Sequence, residues 1–470
     1  MQRALKCALP SFAIFIATAC LSPCVAAEPL AEHVVLVTVD GLPAYLLDDP
    51  SAVLPNIRGL AERGSRAAGM IVSNPSVTWP NHTTLVTGVY PAKHGVLFNG
   101  LLERPGLGVP VKVDPRRDKL ELVQVPTLFD ILHQQGKTSA GINWPCTRNS
   151  KTLGIDFPDS PESLDHTTPE LIAELKESGA VPEEAFKTFG SLSAPARDRI
   201  WTLAACHVIR TRKPNFMMFH LLNVDGTHHK YGPKSAAGYS AVAYADSCVG
   251  DLLDAIDEAG IADKTAVIIV SDHGFIPIPK SLRPNVLLRK AGLLTVEGKS
   301  VATAKVYAVP EGGTALVYLT SPDTADADRE QAIAAFQGQE GIDEVLTPEA
   351  FGELGLPTPM QSRQAPDLVL SAKDGYGFNA DPIGEEFVIA AEGTPGTHGF
   401  LSTNPRMNAV FVAAGAGVRK GTRLDIVENV SVAPTIARLL GVLLESADGE
   451  PLAGILQDSS DAVRSTGLNK

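Results

Sequence analysis

Cysteine is scarce in this chain: six in 470 residues, three of them (Cys7, Cys20 and Cys24) within the first 27. The other three, Cys146, Cys206 and Cys248, allow one disulfide at most, too few to staple a disulfide scaffold. No C-x-x-C and no C-x-P-x-R occurs, so dithiol redox chemistry and the sulfatase signature both lack their residues. Positive charge is also short, with Lys+Arg 40 against Asp+Glu 53 and a net charge of −13. A net anion is repelled by polyphosphate, which argues against duplex nucleic acid as a partner. It leaves room for a small anionic substrate held by metal ions. Beyond residue 27 no apolar run approaches the roughly 20 residues that a membrane-spanning helix needs, so no stable span is expected. There is no repeat of fixed period and no low-complexity tract. Hydrophobic residues at 44% and charged residues at 20% fit a folded globular chain and exclude a disordered one. The length allows about three domains by arithmetic, and equally one large α/β domain with an insertion.

The first 27 residues read as an address. Arg3 and Lys6 precede an apolar run from Ala8 to about Leu21, and Val25 and Ala27 fit the −3 and −1 positions of a signal-peptidase site. The expectation is an exported protein, periplasmic or secreted, with 1–27 removed. Lipid attachment at Cys20 or Cys24 is the alternative, although neither is preceded by a good lipobox.

Through the rest of the chain, apolar β-branched runs alternate with helical patterns. Strands are expected at Val34–Val39, Thr138–Ile142, Phe216–Val224, Ala266–Val270, Ala315–Leu319, Leu368–Leu370 and Ala409–Ala413. Helices are expected at Pro55–Arg63, at Thr84–Thr87 and onward within a helical pattern that starts at about His82, and at Leu128–Gln134, Ala196–Arg210, Ser247–Ala259, Arg329–Phe336 and Val432–Leu440. This alternation means an α/β fold, a mostly parallel central sheet with helices on both faces. Residues 279–378 are richer in short strands and read as a small inserted cap. The catalytic domain would then run over 28–457, with 458–470 as a C-terminal tail.

Three strands lead into aspartate: Asp40 after VVLVTV, Asp225 after MMFHLLNV and Asp272 after AVIIVS. In an open parallel sheet ligands bind beyond the carboxyl ends of the strands, so these carboxylates can converge at one edge. Taken singly, each is as readily a cap for the segment that follows. Histidines shift that balance. His229 follows Asp225 by four residues, His273 adjoins Asp272, and His398 sits in THGF. Mixed imidazole and carboxylate donors suit zinc better than magnesium or calcium. Six ligands exceed one tetrahedral ion and suit two, each with three protein donors, which could clamp the entering and leaving oxygens of a phosphoryl transfer. Thr78, in a Pro-bounded turn before the helix expected from His82, could be a nucleophile, whereas Thr83 or Thr84 would serve as caps.

Six blocks stand in one order: VTVDGL, TWPNHTTLVTGVYPAKHG, INWP, DGTHHKYGP, SDHG and GTHG. In that order they resemble the nucleotide pyrophosphatase/phosphodiesterase family of the alkaline phosphatase superfamily, from about Val34 to His398. NVSVAPTIARLLGV resembles that family's last helix. The resemblance implies an alkaline-phosphatase-like fold and a zinc-dependent phosphodiesterase or nucleotide pyrophosphatase acting on small phosphodiester or nucleotide substrates. It implies Thr78 as nucleophile, Asn81 as oxyanion stabiliser and, together with Trp79, as a substrate-binding residue. It also implies two zinc ions, one on Asp225, His229 and His398, the other on Asp40, Asp272 and His273 with Thr78 as fourth ligand. Trp79 replaces the family's usual Phe, and Cys146 its usual Gly. By its D-x-x-x-H spacing His229 is the ligand and His228 a loop residue; His82 and His94 read as capping or packing residues. Two alternatives are a phosphomonoesterase on the same scaffold, in which Arg148 and Lys151 would hold a dianion, and a non-catalytic module that only binds metal or phosphate. Oligomeric state is not legible.

Overall fold

The computed structural model describes residues 28–393 and 395–458; the expected leader, with Cys20 and Cys24, and the tail beyond 458 lie outside the described residues. Eight strands make the central sheet: β1 His33–Val39, β2 Ser65–Ile71, β3 Ser139–Pro145, β4 Ile155–Asp159, β5 Phe216–Leu221, β6 Thr265–Val270, β7 Phe411–Gly415 and β8 Thr422–Glu428. Their spatial order is β8-β2-β7-β6-β1-β5-β3-β4. All neighbours are parallel except that β7 runs antiparallel to both β2 and β6. Alternate residues of β1 enter two separate cores, Val34 and Leu36 on one face and Val35, Val37 and Val39 on the other. β5 divides in the same way, Phe216 and Met218 opposite Met217 and Phe219. That period of two with both faces buried is why these strands read as continuous apolar runs.

Helices cover both faces. On one side lie α1 Pro55–Arg63, α3 Ala194–Arg212 and α5 Ala236–Glu258, with Ile57, Ala204 and Val249 buried; on the other lie α2 Thr78–Thr87 and α6 Val432–Leu440, with Leu85 and Ile436 buried. α4, Asn223–Tyr231, follows β5 directly. Two expected boundaries move. α2 begins at Thr78, not near His82, because Pro80 falls within its first turn, where a missing N–H is harmless. β5 stops at Leu221, so Asp225 lies in the first turn of α4 and not on a strand end. α5 also starts earlier than expected, its first turns being the alanine-rich AAGYSAVAYA. Between Pro279 and Phe378, strands such as Val306–Pro310, Thr314–Leu319, Ile342–Leu346 and Leu368–Ala372 form a separate four-stranded sheet. Cys146, Cys206 and Cys248 are buried free thiols. Among the described residues no helix is long and apolar enough to cross a membrane.

One buried carboxyl outside the histidine and aspartate clusters makes stability pH-dependent. Asp156 on β4 accepts a 2.9 Å bond from the Thr147 hydroxyl. Burial pushes its pKa up to about 8, with the hydroxyl pulling partly back. The folded state therefore holds this proton more tightly than the unfolded chain, and the stabilisation is lost as pH rises through about 8. Asp156→Asn should match the wild type in urea midpoint near about pH 4 and exceed it near about pH 8. Equal midpoints at both pH values would contradict the assignment.

Candidate active site

The site lies beyond the carboxyl ends of β1, β5 and β6. Asp40 and Asp272 follow β1 and β6, which pair in register through Thr38 and Val270. Asp225 and His229, four residues apart on α4, share one helix face. His398 arrives on the far side of the two-residue strand Gly396–Thr397, which pairs with Ile276–Pro277. These elements bring the expected ligands together. Asp40, Asp272 and His273 form one cluster of donor atoms; Asp225, His273 and His398 form another. His273 Nε2 lies 3.3 Å from Asp40 Oδ1 and 3.4 Å from Asp272 Oδ2. His229 Nε2 and His398 Nε2 lie 3.4 and 3.6 Å from Asp225 Oδ1. His273 thus stands between the two clusters, its ring stacked 3.8 Å from that of His398.

Donor chemistry tests whether this set fits a metal. His229, His273 and His398 each point Nδ1 at a backbone carbonyl, of Gly396, Gly274 and Ser76 respectively, at 3.1, 3.1 and 3.0 Å. A carbonyl only accepts, so each Nδ1 carries the proton and each Nε2 keeps a lone pair toward the site. Burial lowers the pKa of His398 and pushes that of His273 down to about 3, keeping both neutral. Asp40 Oδ1, Asp225 Oδ1, Asp272 Oδ2 and His273 Nε2 are buried without a hydrogen-bond partner among the described residues. Burial raises Asp40, and its neighbours Asp272 and Asp225 raise it further; burial also pushes Asp225 up to about 6. Buried, crowded, unpaired carboxylates facing neutral imidazole lone pairs are costly alone and become favourable around a divalent cation. The residues therefore fit metal ions.

Thr78 opens α2 after the extended Val77, and its hydroxyl has no hydrogen-bond partner among the described residues. Its backbone is tied to the donors on both sides. His398 Nδ1 donates to the carbonyl of Ser76, two residues before it, and His82 Nδ1 donates to its own carbonyl at 2.9 Å. His82 Nδ1 also lies 3.6 Å from Asp272 Oδ2.

Expectations change here at several residues. Asn81 cannot face a substrate: it is fully buried, its Oδ1 accepts from Ser73 N and Asn429 Nδ2, and its Nδ2 donates to the Pro75 and Val77 carbonyls. It holds the 73–77 turn that presents Thr78. Trp79 is only 5% exposed, its indole N–H donates to Asp159 Oδ2 at 3.0 Å, and it packs with Val96, Leu122 and Cys146. It forms a wall, with no open face for stacking. His228 is a buried helical residue with Nδ1 on the Gly41 carbonyl, not a loop residue. The threonines Thr83 and Thr84 donate back to the Trp79 and Pro80 carbonyls in mid-helix and cap nothing. Arg148 lies 3.0 Å from Asp118, and Lys151 is exposed, so neither is posed as a dianion clamp.

Two residues escaped sequence reasoning. Asn99 is exposed, and its Oδ1 accepts from the backbone N–H of Trp79 at 2.9 Å, so its amide nitrogen is left without a hydrogen-bond partner among the described residues, beside the turn that carries Thr78. In the sequence it sits in FNG, which reads only as a turn. His220 is the one imidazole inside the apolar strand β5, 3.3 Å from Asp40 Oδ2. Its signal was a histidine in FMMFHLL.

A doubly covered α/β sheet with clustered carboxylates and histidines beyond its strand ends, and a threonine at a helix start beside them, defines a metal-dependent phosphoryl-transfer architecture. The chain belongs to the type I phosphodiesterase / nucleotide pyrophosphatase family, whose model matches residues 34–401. It is 26% identical over 247 residues to ectonucleotide pyrophosphatase/phosphodiesterase family member 3 of Rattus norvegicus, covering 51% of this chain and 24% of that protein. To family member 1 of Mus musculus it is 23% identical over 423 residues, covering 89% of this chain and 42% of the relative. The chain thus spans well under half the length of these curated relatives. Human ectonucleotide pyrophosphatase/phosphodiesterase 5 has a similar fold, with a TM-score of 0.68 at 17% identity, covering 91% of this chain and 100% of the other. The murine counterpart, solved as an inactive threonine-to-alanine variant in complex with AMP, matches at a TM-score of 0.66 and 17% identity over 89% of this chain and 97% of that one.

Proposed function

We propose that this protein is an exported, zinc-dependent phosphodiesterase or nucleotide pyrophosphatase that cleaves small diesters or phosphoanhydrides through a threonyl phosphoester on Thr78. Residues 28–457 act as one catalytic domain, with 279–378 as its cap. The observation that carries the reading is the unpartnered Thr78 hydroxyl at a helix start whose flanking carbonyls are held by His398 and His82. Asp225, His229 and His398 would hold one zinc ion; Asp40, Asp272 and His273, with Thr78, the other. Bound zinc supplies Lewis-acid polarisation and makes a hydroxyl acidic enough to react near neutral pH. Thr78 Oγ1 attacks phosphorus, the bond to the leaving oxygen breaks, and that oxygen departs with a proton. Water then attacks the same phosphorus, the Thr78 Oγ1–phosphorus bond breaks, and the hydroxyl is regenerated. Asn99 takes the oxyanion role first expected of Asn81: with Oδ1 held by Trp79 N–H, its Nδ2 donates to a non-bridging oxygen.

The ratio of diester to monoester turnover tests the reading. Zinc-loaded protein should hydrolyse bis(p-nitrophenyl) phosphate well above p-nitrophenyl phosphate, because Arg148 is spent on Asp118. A monoester preference would favour the phosphatase alternative, and no turnover of either the non-catalytic one. The two asparagines separate cleanly. Asn99→Ala should lower kcat by about 10²–10³-fold with an unchanged melting temperature. Asn81→Ala leaves buried donors and acceptors unpaired and should cost about 3 kcal/mol of stability, read by urea unfolding. The reverse pattern would restore Asn81 to the oxyanion role.

A further inference from the structure

Behind Asp40 a run of hydrogen bonds fixes where every proton sits. His82 Nδ1 faces the Thr78 carbonyl at 2.9 Å, so that nitrogen carries the proton and Nε2 accepts. Thr38 Oγ1 lies 2.8 Å from His82 Nε2 and 2.9 Å from His220 Nδ1. One arrangement satisfies all three contacts: His220 Nδ1–H donates to Thr38, the Thr38 hydroxyl donates to His82 Nε2, and His82 Nδ1–H donates to Thr78. The other tautomer of His220 would set two bare ring nitrogens, His220 Nδ1 and His82 Nε2, 3.0 Å apart with one hydroxyl proton between them. Thr38 and His220 are held together by the parallel register of β1 and β5, and Asn143 Nδ2 donates to the His220 carbonyl at 3.1 Å.

His220 Nε2 is therefore a bare lone pair. It is fully buried, lacks a hydrogen-bond partner among the described residues, and lies 3.3 Å from Asp40 Oδ2. Two lone pairs at that distance repel unless a proton or a metal cation joins them. The spacing equals the other donor edges of the site, 3.3 Å for His273 with Asp40 and 3.4 Å for His229 with Asp225. Neighbouring ligand atoms on a tetrahedral zinc ion stand about 3.3 Å apart, given bonds of about 2.0–2.1 Å.

We propose that His220 is a further metal ligand, its Nε2 acting with Asp40 Oδ2 on the divalent ion that Asp40 binds, and that Thr38 and His82 set its tautomer. The proposal rests on the reading that Asp40 holds such an ion. Cobalt(II) substituted into the full chain reports coordination independently of activity. His220→Ala should keep one ion, bind the other more than about 100-fold more weakly, and show a stronger visible cobalt absorption as coordination number falls. Thr38→Val leaves the ligand but not its proton partner, and should weaken the same ion about tenfold. His220→Cys should bring a thiolate-to-cobalt charge-transfer band absent from the wild type, none of whose three described cysteines belongs to the donor clusters. That band decides the matter if the alanine variant does not fold. Wild-type affinity and spectrum in His220→Ala, or a folded His220→Cys without the band, overturns the proposal. A wild type that binds no divalent ion overturns this proposal together with the two-metal reading, whereas one that binds two ions leaves that reading standing when His220 alone fails.

Discussion

Thr78→Ala is expected to lower kcat/KM on bis(p-nitrophenyl) phosphate by at least about 10⁴-fold while zinc content stays at the wild-type level. The hydroxyl makes no hydrogen bond within the described residues, so its loss should change stability by no more than about 0.5 kcal/mol. The effect is therefore confined to chemistry. Thr78→Ser should retain part of the activity, because a primary hydroxyl at the start of α2 can still reach phosphorus. Metal analysis on each purified variant, alongside steady-state kinetics, separates loss of the nucleophile from loss of an ion. Full activity in Thr78→Ala would remove the nucleophile assignment, and a coordinate loss of zinc would recast Thr78 as chiefly a ligand.

Chelation should have the second largest effect. With EDTA, turnover is expected to vanish and the melting temperature to fall by several degrees, both restored by zinc and poorly by magnesium. Asp40, Asp225 and Asp272 are then left buried and mutually repelling, with the unpaired oxygens Asp40 Oδ1, Asp225 Oδ1 and Asp272 Oδ2. An ion present at about 1,000 times its dissociation constant contributes about 4 kcal/mol to the folded state. Imidazole donors from His229, His273 and His398 favour zinc over an ion that prefers oxygen alone. A melting curve indifferent to EDTA, together with turnover that survives it, would refute a metal-dependent site.

Why some residues were readable and others not follows from how each reaches the site. Asp40, Asp272 and His273 lie within three residues of a strand end, and Asp225 and His229 share one face of α4. Local spacing and sheet geometry then suffice to bring them to one edge. Asn81 shows the opposite case. Its position three residues after Thr78 places it near that hydroxyl along the helix. Whether its amide faces the cleft depends on the 73–77 turn that folds over it and on Asn429, almost 350 positions away. Asn99 reaches the site through a single bond to Trp79 N–H, which nothing in FNG foretells.

By itself the sequence determined the fold class and the family, and it singled out three aspartates, their histidines and Thr78 as candidates that the fold gathers at one sheet edge. These are written in short motifs and in a hydrophobic period that any α/β sheet must translate the same way. The tertiary structure alone decided which asparagine is buried and which is open, that Trp79 is a wall, that His228 is core, and that His220 stands behind Asp40. Each of these depends on which side of a strand or helix packs against a partner distant in sequence, and burial and hydrogen bonding settle that only after the chain has closed around them.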